Sequence, residues 1–143
     1  MANSLTYDPS QVSVTFNGAN IHGFIDSSFI KVERDEAAFM LQVGADGEWA
    51  RSRNKNRAGK VTITLQQTSV SNDTFSAAAK LDELGSGGYG ALIIKDLNGT
   101  SLVTAQAAWV EKIAPLDIAK ELGQREWVLR AGSLDIFVGG NPL

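Results

Sequence analysis

The eight residues 60–67 constrain the fold more than any other part of the chain, because apolar and polar side chains alternate along them. Val61, Ile63 and Leu65 share one side of this stretch. A period of two is typical of a β-strand with one buried face. A strand with such a face needs a second layer to cover it, so the segment predicts a packed β-structure.

Seven further segments favour strands and extend this prediction. Residues 12–16 and 21–25 flank Asn17-Gly18, a pair that tolerates the positive φ of a tight hairpin turn. Residues 91–97 and 102–113 flank Asn98-Gly99 in the same way. Residues 29–34 predict a strand whose partner is 39–43, and residues 125–138 predict one long final strand with a bulge at Gly132.

A single helix is predicted over residues 74–84, with Ser71, Asn72 and Asp73 as candidate N-caps and the glycine-rich run after residue 84 as its end. Residues 115–123 fit either a helical turn or a loop. The sequence therefore predicts a mainly β fold: a β-sandwich or barrel of two packed antiparallel sheets, with one flanking helix and a long extended loop. No linker or repeat divides residues 1–143, so one domain is expected.

Composition excludes several classes of function. The 143-residue chain has no cysteine, which excludes disulfides and thiolate chemistry. Its formal net charge of −3 opposes a general affinity for nucleic acid. Residues 1–5 lack the features of a secretory signal, and no apolar run approaches the roughly 20 residues of a membrane helix, so no membrane association is expected.

Residues suited to catalysis are sparse. His22 is the only histidine, and it would act as a general base only with a nucleophile brought near it. The glycines of residues 85–90 follow a predicted helix instead of preceding one, unlike a phosphate-binding loop. Adjacent carboxylates such as Asp35 and Glu36 point to opposite faces of a strand. The sequence predicts no enzyme, no cofactor and no metal site.

The segment between Gly44 and Gly59 is the least ordinary part of the chain, because it is polar, long and basic. Three roles fit it: docking onto an acidic patch of an identical neighbour, a solvated loop, or an arm that binds nucleic acid. Basic residues at every second position also suit the edge of an extended hairpin. We predict an inter-subunit contact made by Trp49, Arg51, Arg53, Lys55, Arg57 and Lys60.

Residues 44–73 resemble the tail tube proteins of contractile-tailed phages, chiefly through 45–48, 51–54, 59–69 and 71–73. The resemblance implies homohexameric rings that stack into a hollow tube, with the long loop reaching an adjacent subunit. Genomic DNA would pass without specific binding, and sheath, tape-measure and baseplate proteins would be partners. The location implied is the virion tail, assembled in the host cytoplasm. Lys31, Glu33 and Asp35, on the polar side of a strand, are candidates to line the lumen.

Two other functions remain open at this point. One is a different ring-forming component of a virion or of a secretion tube. The other is a nucleic-acid-binding β-barrel that uses the basic loop directly, for which binding would weaken steeply with salt.

Overall fold

The computed structural model describes residues 8–141. The prediction made for residues 1–5 lies outside this range. Within these residues, a short 3-10 turn, Pro9–Gln11, precedes ten strands and one helix. In chain order they are β1 Val12–Phe16, β2 Ala19–Ile21, β3 Ile30–Arg34, β4 Phe39–Val43, β5 Trp49–Arg53, β6 Gly59–Gln66, α1 Ser71–Leu84, β7 Gly90–Asp96, β8 Leu102–Lys112, β9 Gln124–Ala131 and β10 Asp135–Phe137.

Two antiparallel sheets of very different size contain these strands. The larger sheet follows the order β2-β1-β7-β8-β9-β6-β3, and β10 pairs with β8 beside this path. Strands β4 and β5 pair with each other in a two-stranded sheet. The predicted class, mainly β with antiparallel sheets and one helix, is confirmed. The path described is open at β2 and β3, so among residues 8–141 the fold is a sandwich and no barrel closes.

One hydrophobic cluster lies between the inner face of the large sheet and helix α1. The alternation predicted in β6 is confirmed, since Val61, Ile63 and Leu65 are all buried. Phe75, from the helix, packs against Phe16 and Trp127 with ring centroids 5.6 and 5.4 Å away. The centre of the domain is therefore an aromatic contact between the helix and both halves of the sheet.

Both hairpins predicted from Asn-Gly pairs are confirmed, but within the described residues only the first pair has the positive φ of a tight turn. Asn17 and Gly18 have φ of 51° and 83°, the left-handed conformation that a two-residue turn between β1 and β2 requires. Strand β2 ends at Ile21, earlier than predicted. The β7–β8 hairpin turns at Asn98, whose N–H donates to the Asp96 carboxylate at 3.1 Å.

The predicted pairing of residues 29–34 with 39–43 is wrong. Strand β3 pairs with β6, in a register that places Ile30 opposite Ile63 and Val32 opposite Val61. Strand β4 pairs with β5 instead. An apolar match across the sheet, made with a distant part of the chain, outweighs the nearer strand in sequence.

The single long strand predicted over 125–138 is also wrong. Strand β9 pairs with β6 and β8, whereas β10 pairs with β8 alone. Gly132 lies in the break between them, where Leu134 turns inward and is fully buried. The helix begins at Ser71, one of the residues predicted to cap it, and its N-cap is Val70, which offers no side-chain hydrogen bond.

Residues 113–123, which we call the strap, connect β8 to β9 without a helix or strand. Three aliphatic side chains of the strap, Leu116, Ile118 and Leu122, are each more than three-quarters exposed. The strap is thus an apolar segment that the described part of the chain leaves uncovered.

Candidate assembly surface

Residues 35–58, the arm, leave the body of the domain between β3 and β6. Strands β4 and β5 form its hairpin, and every residue of both strands is exposed. Five of these side chains are large and apolar, with Leu41 67% and Trp49 70% exposed. The loop predicted between Gly44 and Gly59 is therefore wrong in part, because Trp49–Arg53 is a strand.

The register of the hairpin separates its side chains into two faces. Leu41 lies opposite Arg51, and Val43 lies opposite Trp49. Directly opposed residues of an antiparallel pair point to the same side. One face, which we call the arginine face, therefore carries Phe39, Leu41, Val43, Trp49, Arg51 and Arg53.

The two arginines of this face are held by an aromatic ring. The Arg51 guanidinium lies 4.2 Å from the centroid of Phe39, and that of Arg53 lies 5.3 Å from it. Both distances suit a cation–π contact, worth ~0.5–1 kcal/mol at an exposed site. Neither guanidinium takes part in an ion pair among residues 8–141.

Hydrogen bonds order the tip of the hairpin. The Gly44 N–H donates to the Glu48 carbonyl at 2.7 Å, and the Glu48 N–H donates to Asp46 Oδ1 at 3.2 Å. Gly47 has a φ of 88°, which favours glycine at this position. The tip is a defined turn, so the two strands keep one register.

A carboxylate ties the base of the arm together. Glu36 Oε2 accepts hydrogen bonds from the amides of Asn54 at 2.7 Å and Asn56 at 3.2 Å. These bonds, that from Asn54 first, lower the pKa of Glu36 from its ordinary value, because both favour the charged form. These hydrogen bonds join the segment that enters the hairpin to the segment that leaves it.

Both ends of the arm also meet at the backbone of Leu134. The guanidinium of Arg34 donates to the Leu134 carbonyl at 2.8 and 3.2 Å. The Leu134 N–H donates to the Arg57 carbonyl at 2.9 Å. Since Leu134 is buried in the core, these bonds fix the direction in which the arm leaves the body.

The six residues predicted for an inter-subunit contact separate into two groups. Trp49, Arg51 and Arg53 lie together on the arginine face, and Lys55 is exposed beyond it. Arg57 instead pairs with Asp135 at 3.5 Å, and Lys60 pairs with Glu33 at 3.6 Å. The last two are thus paired with carboxylates of the body.

The apolar residues of β4 were missed as part of this surface. Residues 39–43 read Phe-Met-Leu-Gln-Val, with apolar side chains on both faces of the strand. In a strand that is covered on one side, apolar and polar residues alternate. An apolar run without this alternation, followed by a basic run, is therefore the sequence signal that could have indicated this surface.

Two of the three lumen candidates, Glu33 and Asp35, form ion pairs at the outer face of the large sheet. Lys31 and Glu33 are exposed on β3. Asp35 pairs with Arg130 at 2.5 Å, and Arg130 also binds Glu111. These two carboxylates, Glu111 foremost, raise the pKa of Arg130. The face is polar and carries both signs of charge.

The residues considered for catalysis are held by structural contacts. His22 is exposed, and its backbone carbonyl and N–H bond the hydroxyls of Ser69 at 2.5 Å and Ser71 at 3.0 Å. Gly88 N–H donates to Asp82 Oδ1 at 2.8 Å, and a Cβ at this glycine would clash with the Ala78 carbonyl. Residues 8–141 hold no cluster of three metal-ligating side chains. No helix in the described range has the length and apolar character needed to span a bilayer.

The sequence matches the family described as Bacteriophage PhiTE tail tube protein, over residues 11–139. The chain belongs to this phage tail tube family. A curated relative, "Structural protein ORF10" of Pseudomonas phage KPP10, is 31% identical over 144 residues, covering 95% of this chain and 83% of the relative. The resemblance predicted from residues 44–73 is confirmed, and the protein is a structural component of the phage tail.

Two solved structures share the fold of this tail tube family member at 13% sequence identity each. The anti-feeding prophage cap, described as the AFP tube terminating cap, has a TM-score of 0.62, with 96% of this chain and 95% of that chain covered. The sheath/tube terminator of PVC, an extracellular contractile injection system, has a TM-score of 0.63 and coverage of 96% and 100%.

Proposed function

We propose that the protein is the repeating subunit of a tail tube, in which six copies form a ring and rings stack into a hollow conduit for DNA. The observation that carries this proposal is the exposed hairpin of the arm. Its arginine face presents Leu41 and Trp49 to solvent, although the register and the turn of the hairpin are well defined.

An isolated two-stranded hairpin is marginally stable in water and needs a surface to cover it. An ordered hairpin with five large apolar residues exposed therefore suits a contact with another molecule. In a tube made of one protein, each subunit meets identical neighbours. Contacts between two different surfaces of the same chain repeat head to tail and close into a ring by rotation.

The conduit proposal also uses the outer face of the large sheet. Lys31, Glu33 and Asp35 lie on or beside its edge strand β3, and mixed charges there suit a water-filled lumen. The net charge of −3 would limit adhesion of passing DNA. We assign residues 1–143 to one tube domain without enzymatic activity. Its partners would be sheath, tape-measure and baseplate proteins, and assembly would occur in the host cytoplasm.

Negative-stain electron microscopy of the concentrated protein, with light scattering for its mass, tests this function. The expected result is six-fold rings that stack into hollow tubes. The variant Leu41→Asp should prevent assembly, because it places a carboxylate on the arginine face. Gln42→Asp is the matched control, since it places the same group on the opposite face of the same strand. A wild-type protein that stays monomeric at every concentration would overturn the proposal.

A ring that ends a tube is the second candidate. The two solved structures of the same fold are named as a tube terminating cap and a sheath/tube terminator. The same micrographs separate the two functions, because a terminator forms single rings that do not stack on one another.

A further inference from the structure

The C-terminal turn of helix α1 is a surface with unbalanced charge. It carries Asp82 and Glu83 and no basic residue. Because the helix dipole places partial negative charge at this end, carboxylates are unfavourable there and a cation is favourable. Leu81 and Leu84, on the same turn, are 55% and 87% exposed. The helix therefore ends in an exposed, acidic and apolar surface.

A groove adjoins this turn, between the helix and the end of β8. It holds about 520 Å³. The residues that line it are Ala79, Asp82, Glu83, Trp109, Val110, Glu111, Lys112 and Ile113. Apolar side chains form much of the lining, and carboxylates from the helix contribute negative charge.

The charges of this groove are only partly matched within the chain. Glu111 binds Arg130, and Asp82 accepts the Gly88 N–H. Glu83 takes part in none of the four ion pairs formed by residues 8–141. Arg51 and Arg53 of the arm take part in none of them either. Lys112 also lines the groove and takes part in none of these four pairs. Asp82 and Glu83 together outweigh its single positive charge, so the groove keeps an excess of negative charge, opposite in sign to the two arginines.

The arginine face and the groove match in chemistry as well as in charge. A guanidinium suits both carboxylates and the last carbonyls of a helix, to which it donates hydrogen bonds. Leu41, Val43 and Trp49 beside the arginines suit an apolar lining. A head-to-tail contact joins two different patches of the same chain, and these two patches fulfil that requirement.

We infer that the arm of one copy docks in the groove of an adjacent copy, with Arg51 and Arg53 facing Asp82 and Glu83. This inference rests on the proposed tube function and names the acceptor surface for the arm. The strap is the competing acceptor, because it is apolar and carries Asp117 and Glu121. The groove is favoured because the helix end adds its dipole to two adjacent carboxylates.

Charge reversal on each side tests the inference. Arg53→Glu and Glu83→Arg should each raise the protein concentration needed for assembly by about tenfold or more, as measured by light scattering. The double variant, with the two charges exchanged, should recover most of that loss. Lys95→Glu matches the change in net charge made by Arg53→Glu and is its control. Thermal unfolding followed by circular dichroism checks that each variant folds.

A third reversal, Glu121→Arg, distinguishes the strap from the groove. Rescue of Arg53→Glu by Glu83→Arg and not by Glu121→Arg supports the groove. Rescue by Glu121→Arg alone, or by neither, overturns the inference while wild-type tubes still support the proposed function. A wild-type protein that never assembles overturns both.

Cross-linking gives a measurement that does not depend on energetics. Since the chain has no cysteine, a pair of engineered thiols is the only pair present. With a short bismaleimide, Trp49→Cys combined with Leu84→Cys should give a ladder of covalent oligomers. Trp49→Cys combined with Leu122→Cys, in the strap, should give few. The reverse pattern would contradict docking in the groove.

Discussion

The large sheet and the arm are built from similar residues, yet they bury them to opposite extents. Ile63 and Leu65 of β6 have no exposed surface, whereas every residue of β4 and β5 is exposed. The sheet gains its stability within one chain, through a helix that covers its inner face. The arm has an ordered backbone without such a cover. Order and burial are therefore separate properties, and an ordered element that its own chain leaves uncovered is suited to binding a partner.

The largest effect is expected from a change in the body. Phe75→Ala removes the ring that packs between Phe16 and Trp127, and should lower the free energy of unfolding by ~3–5 kcal/mol because it leaves a cavity. Leu41→Ala on the arm is the comparator and should change it by less than about 0.5 kcal/mol. Urea unfolding of dilute, unassembled protein measures both. Similar losses for the two variants would show that the arm is covered within its own chain.

An intermediate effect is expected where the arm joins the body. Arg34→Met removes both hydrogen bonds to the Leu134 carbonyl and should destabilise the fold by ~1–3 kcal/mol, since this site is partly buried. Arg34→Lys, which keeps one donor and the charge, should lose less. Unfolding experiments give the stability, and hydrogen exchange at residues 39–53 shows whether the arm loosens. Unchanged exchange would mean that Leu134 does not fix the arm.

The smallest effect concerns the base of the arm. The hydrogen bonds from Asn54 and then Asn56 to Glu36, which we call the clamp, lower the pKa of Glu36 from its ordinary value of 4.5. The clamp is therefore complete above pH 4.5 and is lost as the pH falls through the lower pKa of the folded protein. NMR signals of the two side-chain amides should titrate together with a midpoint below 4.5. Glu36→Gln should abolish this titration and leave the core signals unchanged. A midpoint at or above 4.5 would exclude the clamp in solution.

The alternation of β6 and the two Asn-Gly hairpins were predictable, because local sequence determines a strand period and a tight turn. The pairing of β3 with β6, across an intervening hairpin, was not. Which strands pair depends on how apolar faces match after the whole sheet forms, and residues 39–43 offered a plausible but incorrect partner for β3. Local patterns therefore predicted the elements better than their order in the sheet.

For the candidate site, the sequence indicated a segment of the chain, but it did not show which residues of that segment lie together. The basic run identified the arm, but sequence proximity grouped Arg57 and Lys60 with Arg51 and Arg53. Arg57 is neutralised by Asp135, far along the chain, and Lys60 by Glu33 across the β3–β6 pair. Long-range ion pairs leave no local signal. The contribution of Phe39 became visible only when the hairpin register placed both arginines over its ring.

The bonds to Leu134 have a consequence for the order of events during synthesis. Arg34 precedes its carbonyl acceptor by 100 residues. A ribosome must therefore add nearly the whole described chain after the arm before these bonds can form. While translation continues, the arm of a nascent chain lacks these bonds to the body. We therefore expect finished subunits, and not nascent chains, to be the species that assembles.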